Sequence, residues 1–353
     1  MQAKQKNISD TKAIGLEVSL SITKFVTGKE NLHYGVWDKL DPCLENLGKA
    51  QEKYTNLLFK YLPKKRKLKI LDVGGGAGET AKKLVNLGHD VTIVDYLRCY
   101  INIGRNQSAI YYNGNKLNSF DAVLPRIGAS QTSYGTAIVR QFEMMGDYCV
   151  NTSESIKSSR DKLRSLQILA KHGLDTPVTG YASHTMDIHD VIEKVGKTPL
   201  IMKLLQGTQG NGMVLAETIK AAESVMNAFK QVDADILVQE FIKESSGIDI
   251  RVIVVGNKVV ASMERVAPPG EFRSNVHRGA MTKHITLTKE EEEISIKSCQ
   301  VLGLNVAGVD IMRSNRGALV LEVNSSPGLQ GIELLTGADV AGEIIDYIEE
   351  IVT

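Results

Sequence analysis

Glu322 and Asn324 stand two residues apart in the apolar run ALVLEVN, and a Ser-Ser-Pro-Gly turn follows at once. Upstream, Asp310 interrupts a second apolar run, GVDIM, and SNRG (314–317) between the runs has the composition of a turn with glycine last. A three-residue loop closed by a left-handed Gly317 would set Ser314 opposite Ala318, and hence Asp310 opposite Glu322. Strand side chains alternate, so Glu322 and Asn324 share a face, roughly 7 Å apart. Two facing carboxylates repel unless a cation or a proton lies between them. Three converging oxygen donors suit magnesium or manganese, with phosphate oxygens completing the shell. The bland alternative is a solvated edge on which charges happen to meet; the apolar surroundings count against it.

A second group of residues points to phosphate. Lys203 sits mid-strand in PLIMKLLQ, where a lysine needs a partner, and the loop QGTQGNG (206–212) follows three residues on. Glycines such as Gly207 and Gly210 let backbone N–H groups approach phosphate oxygens closely. The lysine precedes the glycines, which is not the Walker order. A plain hairpin turn would also explain the glycines, but not Lys203. Glu240-Phe241 ends the apolar run ILVQEF, where a carboxylate beside free backbone groups could take ribose hydroxyls and the adenine edge; an edge-strand charge is the equal alternative. Asp249, Arg251 and Arg265 project from the next hairpin, and FRSNVHRG (272–279) is a basic loop carrying Arg273, Ser274 and Asn275. Alone, that loop reads as solvated. Beside a metal–phosphate site it reads as anion contacts.

These residues need strands to hold them. Residues 1–66 read as helical, with NLGKAQEKYTNLLFKYL (46–62) spaced at helical intervals and closed by Pro63. LKILDV (68–73), a GGGAG loop, the helix ETAKKLVNLG and HDVTIVD (89–95) form a strand–helix–strand unit of a parallel sheet. FDAVLPRIG and the helix around GTAIVRQFEMMG continue that layer. From about Ser158 a helix over SRDKLRSLQILAKHG leads into strands and hairpins of an antiparallel kind, closed by the helix AGEIIDYIEEIV. The fold class is therefore α/β followed by α+β.

Composition narrows the function. The 353 residues are 42% hydrophobic and 24% charged, ordinary for a soluble globular protein of two or three domains. Forty-two basic residues against 41 acidic ones leave a net charge of +1, so no global field marks a DNA or membrane partner. Aromatics at 5% argue against a nucleic-acid stacking surface. Cys43, Cys99, Cys149 and Cys299 are scattered without a C-x-x-C pair, which suits a reduced, cytoplasmic protein with no structural zinc. No apolar run approaches a membrane span and no signal-peptide core is present.

Taken together, YLRCYINI, FDAVLPRIG, YGTAIVRQFEMMG, SRDKLRSLQ, KLLQGTQGNG, ILVQEFIKE, DIRVIVVG, FRSNVHRG, AGVDI and LEVNSSPGLQGIE resemble the ATP-grasp superfamily, specifically the RimK-type glutamate ligases. The resemblance spans about residues 96–350. It implies an ATP-grasp domain (158–353) preceded by a Rossmann-like pre-ATP-grasp domain (67–157); residues 1–66, a helical, methyltransferase-like N-terminal extension, have no counterpart in that family. It also implies ligation, in which ATP phosphorylates a carboxylate and an amine attacks the acyl phosphate. By that resemblance Lys162, Lys203, Gly207 and Gly210 hold phosphates, and Glu240, Phe241 and Asp249 hold adenosine. Arg273, Ser274 and Asn275 line the acyl-phosphate region; Lys203, Arg273 and Asn275 serve catalysis. Asp310, Glu322 and Asn324 hold two magnesium or manganese ions, and the turn after them shapes the acceptor side. The implied substrates are L-glutamate and a glutamate-ended acceptor, either the tail of a small-subunit ribosomal protein or poly-glutamate. A homo-oligomer is expected. One departure bears on the acceptor: Val-Ala-Pro-Pro-Gly follows Arg265 where family members often carry a second basic residue.

HYGVWD (33–38) and ILDVGGGAGETAKKLVNLGHDVTIVD resemble the opening of a class I S-adenosylmethionine-dependent methyltransferase, with Asp72, Gly74, Gly76 and Gly78 in its first loop and Asp95 ending its second strand. The likeness stops at Asp95, which places a seam there. It opens two rival readings: a methyl-donor binder or bifunctional protein, and a nucleotide-binding scaffold impaired by the seam. No later strands are left to close a methyltransferase sheet. Intact Lys203, Asp310, Glu322 and Asn324 speak against the scaffold.

Overall fold

The structure is a computed structural model and describes residues 67–352, apart from 75–78, 106–107, 182–187, 206–211, 231–233, 246 and 276–278. The expected helix over 46–62, Cys43, Gly76, Gly78, Gly207 and Gly210 lie outside the described residues. Residues 67–353 form one compact unit.

The apolar run KILDV forms β1 (Lys69–Val73), buried along four of its five residues. It is the central strand of a three-stranded parallel sheet. On one side it pairs with β2 (Asp90–Val94) and on the other with β6 (Ala122–Pro125), joined to β2 through helix α1 (Glu79–Asn86). Burial on both faces is what a central parallel strand requires. Leu71 and Val73 face Ile138, Val139 and Phe142 of α2 (Thr132–Met145). Leu68 and Ile70 face a second core that contains Ile344, Ile345 and Ile348. Between β2 and β6 the chain forms a separate antiparallel sheet of β3 (Cys99–Asn102), β4 (Ala109–Tyr112) and β5 (Asn115–Lys116). Gly74 turns the chain out of β1 with φ +81°, and a Cβ there would lie 2.5 Å from the Arg126 carbonyl oxygen, so only glycine fits.

The helix expected over SRDKLRSLQILAKHG is α4 (Lys162–Lys171), and its first two residues end a separate helix, α3 (Ser153–Arg160). Asp161 separates the two. Its extended backbone (φ −78°, ψ 103°) ends α3, and its carboxylate accepts the Arg164 N–H at 3.0 Å to start α4. Lys162 therefore opens a helix beside the site.

Next comes a four-stranded sheet ordered β7-β10-β8-β9, made of β7 (Thr179–Tyr181), β8 (Leu200–Leu204), β9 (Met213–Ala216) and β10 (Ile236–Glu240). Helices α5 (Ile188–Val195) and α6 (Ile219–Lys230) cover it, with Ile192, Ala222 and Met226 packed on Met202 and Val238. A five-stranded antiparallel sheet, ordered β13-β12-β11-β14-β15, follows. Its strands are β11 (Ile248–Val255), β12 (Lys258–Val266), β13 (Met281–His284), β14 (Val306–Ser314) and β15 (Gly317–Asn324). Helix α7 (Lys289–Leu302) packs Cys299 and Leu302 against Val252 and Val309 on this sheet. Helices α8 (Gln330–Thr336) and α9 (Val340–Val352) close the chain. Ile344, Ile345 and Ile348 of α9 share one core with Ile70 of β1 and Ile253 of β11, so the parallel sheet and the large antiparallel sheet meet on that helix. His89 fastens the same junction: its Nε2 lies 2.8 Å from Glu349 and both side chains are buried.

Among the described residues no helix is long and apolar enough to cross a membrane, and Cys99, Cys149 and Cys299 are buried free thiols.

Candidate active site

The β14–β15 hairpin places Asp310 opposite Glu322 and Gly308 opposite Asn324. The turn that does so is not the expected one. Ser314 pairs with Gly317, so the loop has two residues, Asn315 and Arg316, and Gly317 takes φ +104°. That register alone would put Glu322 on the wrong face, because one residue of slip inverts a strand. A bulge between Ile311 and Asp310, which leaves Leu321 as the extra residue, restores it. Glu322 is exposed to a cavity of about 2140 Å³ that Asp310 and Asn324 also line. The Asn324 side-chain N–H donates to Glu322 at 3.1 Å.

Asp310 is buried and already engaged. Arg251 donates to both of its oxygens at 2.7 and 2.6 Å, and Arg265 approaches one of them at 2.9 Å. Burial pushes the Asp310 carboxyl up, but the two guanidinium groups outweigh it and hold its pKa at about 2. Arg265 also grips Asp249 at 2.6 and 2.7 Å, and Ser274 donates to Asp249 at 2.5 Å. The result is a buried network of two arginines and two aspartates, where the adenosine contact expected of Asp249 would need its carboxylate free. Among the described residues no three His, Cys, Asp or Glu side chains are gathered for a metal. The donors nevertheless fit a hard divalent cation: a carboxylate and an amide side by side on β15, with a second carboxylate across from them.

Lys162 and Lys203 meet opposite this hairpin. Lys162 donates to the Leu204 and Leu205 carbonyls at 3.3 and 3.0 Å, so its ammonium crosses from α4 to the end of β8. Burial lowers its pKa while Glu322 raises it. Lys203 donates to Oε1 of Gln239 at 2.5 Å. Burial lowers the Lys203 pKa to about 8, Glu322 opposes that shift and Lys162 adds to it. Two partly desolvated ammonium groups facing a carboxylate are arranged to take the oxygens of a phosphate chain.

Gln239 was not singled out from the sequence, although it stands beside Glu240 in a buried strand. It is 2% exposed, and its amide N–H donates to Thr179 Oγ1 at 2.8 Å, which in turn donates to the Pro177 carbonyl at 2.8 Å. This relay fixes which end of the amide faces Lys203. Glu240 itself is occupied: it accepts the Val178 N–H at 2.7 Å and an ion pair from Arg316 at the hairpin tip. Phe241 and Asn275 line the cavity, and Arg273, also in its wall, is paired with Glu271 at 2.6 Å.

The family model described as the RimK-like ATP-grasp domain matches residues 159–348, and the RimK pre-ATP-grasp domain matches residues 79–156. The chain belongs to the RimK-like ATP-grasp family. It is a ligase of the ATP-grasp fold. A protein of Coxiella burnetii named "Probable alpha-L-glutamate ligase" is 60% identical over 263 residues, 74% of this chain and 87% of that protein. One of the same name from Methanococcoides burtonii is 59% identical over the same shares. The solved structure of the ATP-grasp ligase PsnB with its minimal precursor aligns with TM-score 0.62 at 20% identity, covering 80% of this chain and 99% of that one. D-alanine–D-alanine ligase from Bacillus anthracis aligns with TM-score 0.58 at 19% identity, covering 81% and 97%.

The pre-ATP-grasp match begins inside the glycine-loop unit, so α1 and β2 belong to the ligase family. Of the residues expected to hold a methyl donor, Asp95 serves the fold, and Asp72 is buried with both carboxylate oxygens lacking a hydrogen-bond partner. Asp95 caps the short 3-10 turn Tyr96–Arg98 by accepting the Leu97 N–H at 3.0 Å, and Asp72 is fully buried in β1. Burial raises the Asp72 pKa to about 6, against the pull of Arg126.

Proposed function

We propose that this chain forms an amide between the amino group of L-glutamate and the carboxylate of a glutamate-ended acceptor, using ATP. The acceptor is a poly-glutamate chain or the tail of a small-subunit ribosomal protein. In the first step an acceptor carboxylate oxygen bonds to the γ-phosphorus of ATP and ADP leaves. In the second the glutamate amine attacks the acyl carbon, inorganic phosphate leaves and the nitrogen loses a proton. The observation that carries this reading is the cavity in which Lys162 and Lys203 oppose Glu322, in a chain 60% identical to named glutamate ligases.

Lys162 and Lys203 hold the phosphates. Arg273 and Asn275, on the loop across the cavity, attend the acyl phosphate. Asp310, Glu322 and Asn324 would hold two magnesium or manganese ions, which supply charge neutralisation for the transferring phosphoryl group. Phe241 and the strand end at Glu240 border the adenosine.

The test is ATP-dependent incorporation of labelled L-glutamate, with and without a glutamate-ended peptide, followed by mass spectrometry. Products longer by whole glutamyl residues are expected, with ADP and phosphate released in step. ATP turnover with other amino acids but none with glutamate would refute the reading.

A further inference from the structure

The cavity wall also includes residues beyond those assigned to the nucleotide and the metal. Residues 126–130 of the pre-ATP-grasp segment, the end of α3 and the turn 326–331 are among them. Among the arginines in the cavity wall, Arg164, Arg251, Arg265 and Arg273 each carry a carboxylate partner. Arg160 forms no ion pair among the described residues. Its Nη2 donates to the Ile127 carbonyl at 2.8 Å, and its Nε is buried with no hydrogen-bond partner. Ser326, which lines the same cavity, has a buried hydroxyl that also lacks a partner. Buried donors are ordinarily bonded, so two unmatched ones in one wall call for an acceptor.

Glu333 and Asp339, also in the cavity wall, do not supply it. Glu333 accepts the Ala341 N–H at 3.1 Å and Asp339 accepts the Gly342 N–H at 2.9 Å, both serving the start of α9. Lys157 adds a further positive charge to the wall. Arg160 lines the same cavity as Glu322 of the metal hairpin, whose charge raises the Arg160 pKa against the lowering by burial. A planar guanidinium fork there suits a carboxylate.

We propose that Arg160, with Ser326, is the anchor for the acceptor's terminal carboxylates, seated where the pre-ATP-grasp segment meets the ATP-grasp domain. This rests on the ligase reading above and names the side of the site that reads the acceptor. The bond of Arg160 to Ile127 makes the anchor a property of both domains, since the loop 126–128 fixes its angle.

The test titrates L-glutamyl-L-glutamate into the full chain holding a non-hydrolysable ATP analogue, by calorimetry, for wild type, Arg160→Lys and Arg160→Met. Thermal melts confirm that each variant is folded. The expected result is at least a tenfold weaker dipeptide affinity in Arg160→Met, partial recovery in Arg160→Lys, and analogue affinity within twofold of wild type in both. Unchanged dipeptide affinity in Arg160→Met overturns the proposal. So does a parallel loss of nucleotide affinity, which would make Arg160 a phosphate ligand. No dipeptide binding by wild type overturns it as well. Failure of wild type to ligate glutamate to any acceptor, with dipeptide binding dependent on Arg160, refutes the ligation reading instead.

Discussion

Replacing Gln239 by methionine keeps most of the side-chain volume and removes the amide oxygen that accepts from Lys203 at 2.5 Å. A hydrogen bond to a charged group contributes about 1.5–3 kcal/mol, more than a neutral one. Gln239 can bond Lys203 as an acceptor only, so its loss favours the neutral amine by that amount, a factor of about 10 to 100. With the Lys203 pKa at about 8, the ammonium outnumbers the amine by about 3 to 1 at pH 7.5 in the wild type. In the variant the ratio inverts, and the charged form falls by about threefold at the lower bound and about 25-fold at the upper. The affinity for a non-hydrolysable ATP analogue should fall by the same factor at pH 7.5. Because the loss is one of protonation, it should shrink as the pH is lowered to 6. Wild type should itself lose affinity as the pH rises through about 8, where the folded protein deprotonates Lys203. Calorimetric titration at several pH values reads both. A loss of equal size at every pH would refute the reasoning, since it would mean that Gln239 supports the strand rather than the charge.

Three further outcomes follow from the same geometry. Glu322→Ala should abolish ligation while moving the urea-unfolding free energy by about 1 kcal/mol or less, because the side chain is exposed to the cavity; a large drop in stability would make Glu322 structural. Glu349→Leu takes the carboxylate from a buried His89 and should lower stability by about 3 kcal/mol in the same assay, against no change if the tie is incidental. Gly74→Ala should destabilise by about 1–3 kcal/mol more than Gly88→Ala, since both have positive φ but only Gly74 meets a carbonyl oxygen at 2.5 Å; equal effects would locate the whole penalty in φ.

The facing of Asp310 and Glu322 was legible in the sequence, though by two departures that cancel: a turn one residue shorter than expected and a bulge that restores the register. Turn length and bulge are set by backbone packing that composition does not encode. Lys203 announced that it needed a partner, but not which one. Gln239 lies 36 residues away, and its proximity depends on β10 pairing with β8 rather than with a sequential neighbour. The apolar runs of β1 and β2 declared a parallel sheet, and β6 joins it as expected. The small sheet of β3 to β5 between them was missed, because short strands with mixed exposure carry weak periodicity. The pairing of Arg316 with Glu240 was beyond reach, since a hairpin tip and a strand end 76 residues apart meet only in the assembled fold.

The tie between His89 and Glu349 spans 260 residues. A ribosome makes β1, α1 and β2 long before it makes α9, and that helix completes the core that holds one apolar face of β1. Until then the core around Leu68 and Ile70 lacks Ile344, Ile345 and Ile348. Contacts this far apart in sequence slow folding and leave the intermediate prone to association. The segment bearing the glycine loop is therefore the first part of this sheet to be synthesised and among the last to be sealed. A chain stopped before residue 340 should bind chaperones through β1 even when its antiparallel sheets are complete.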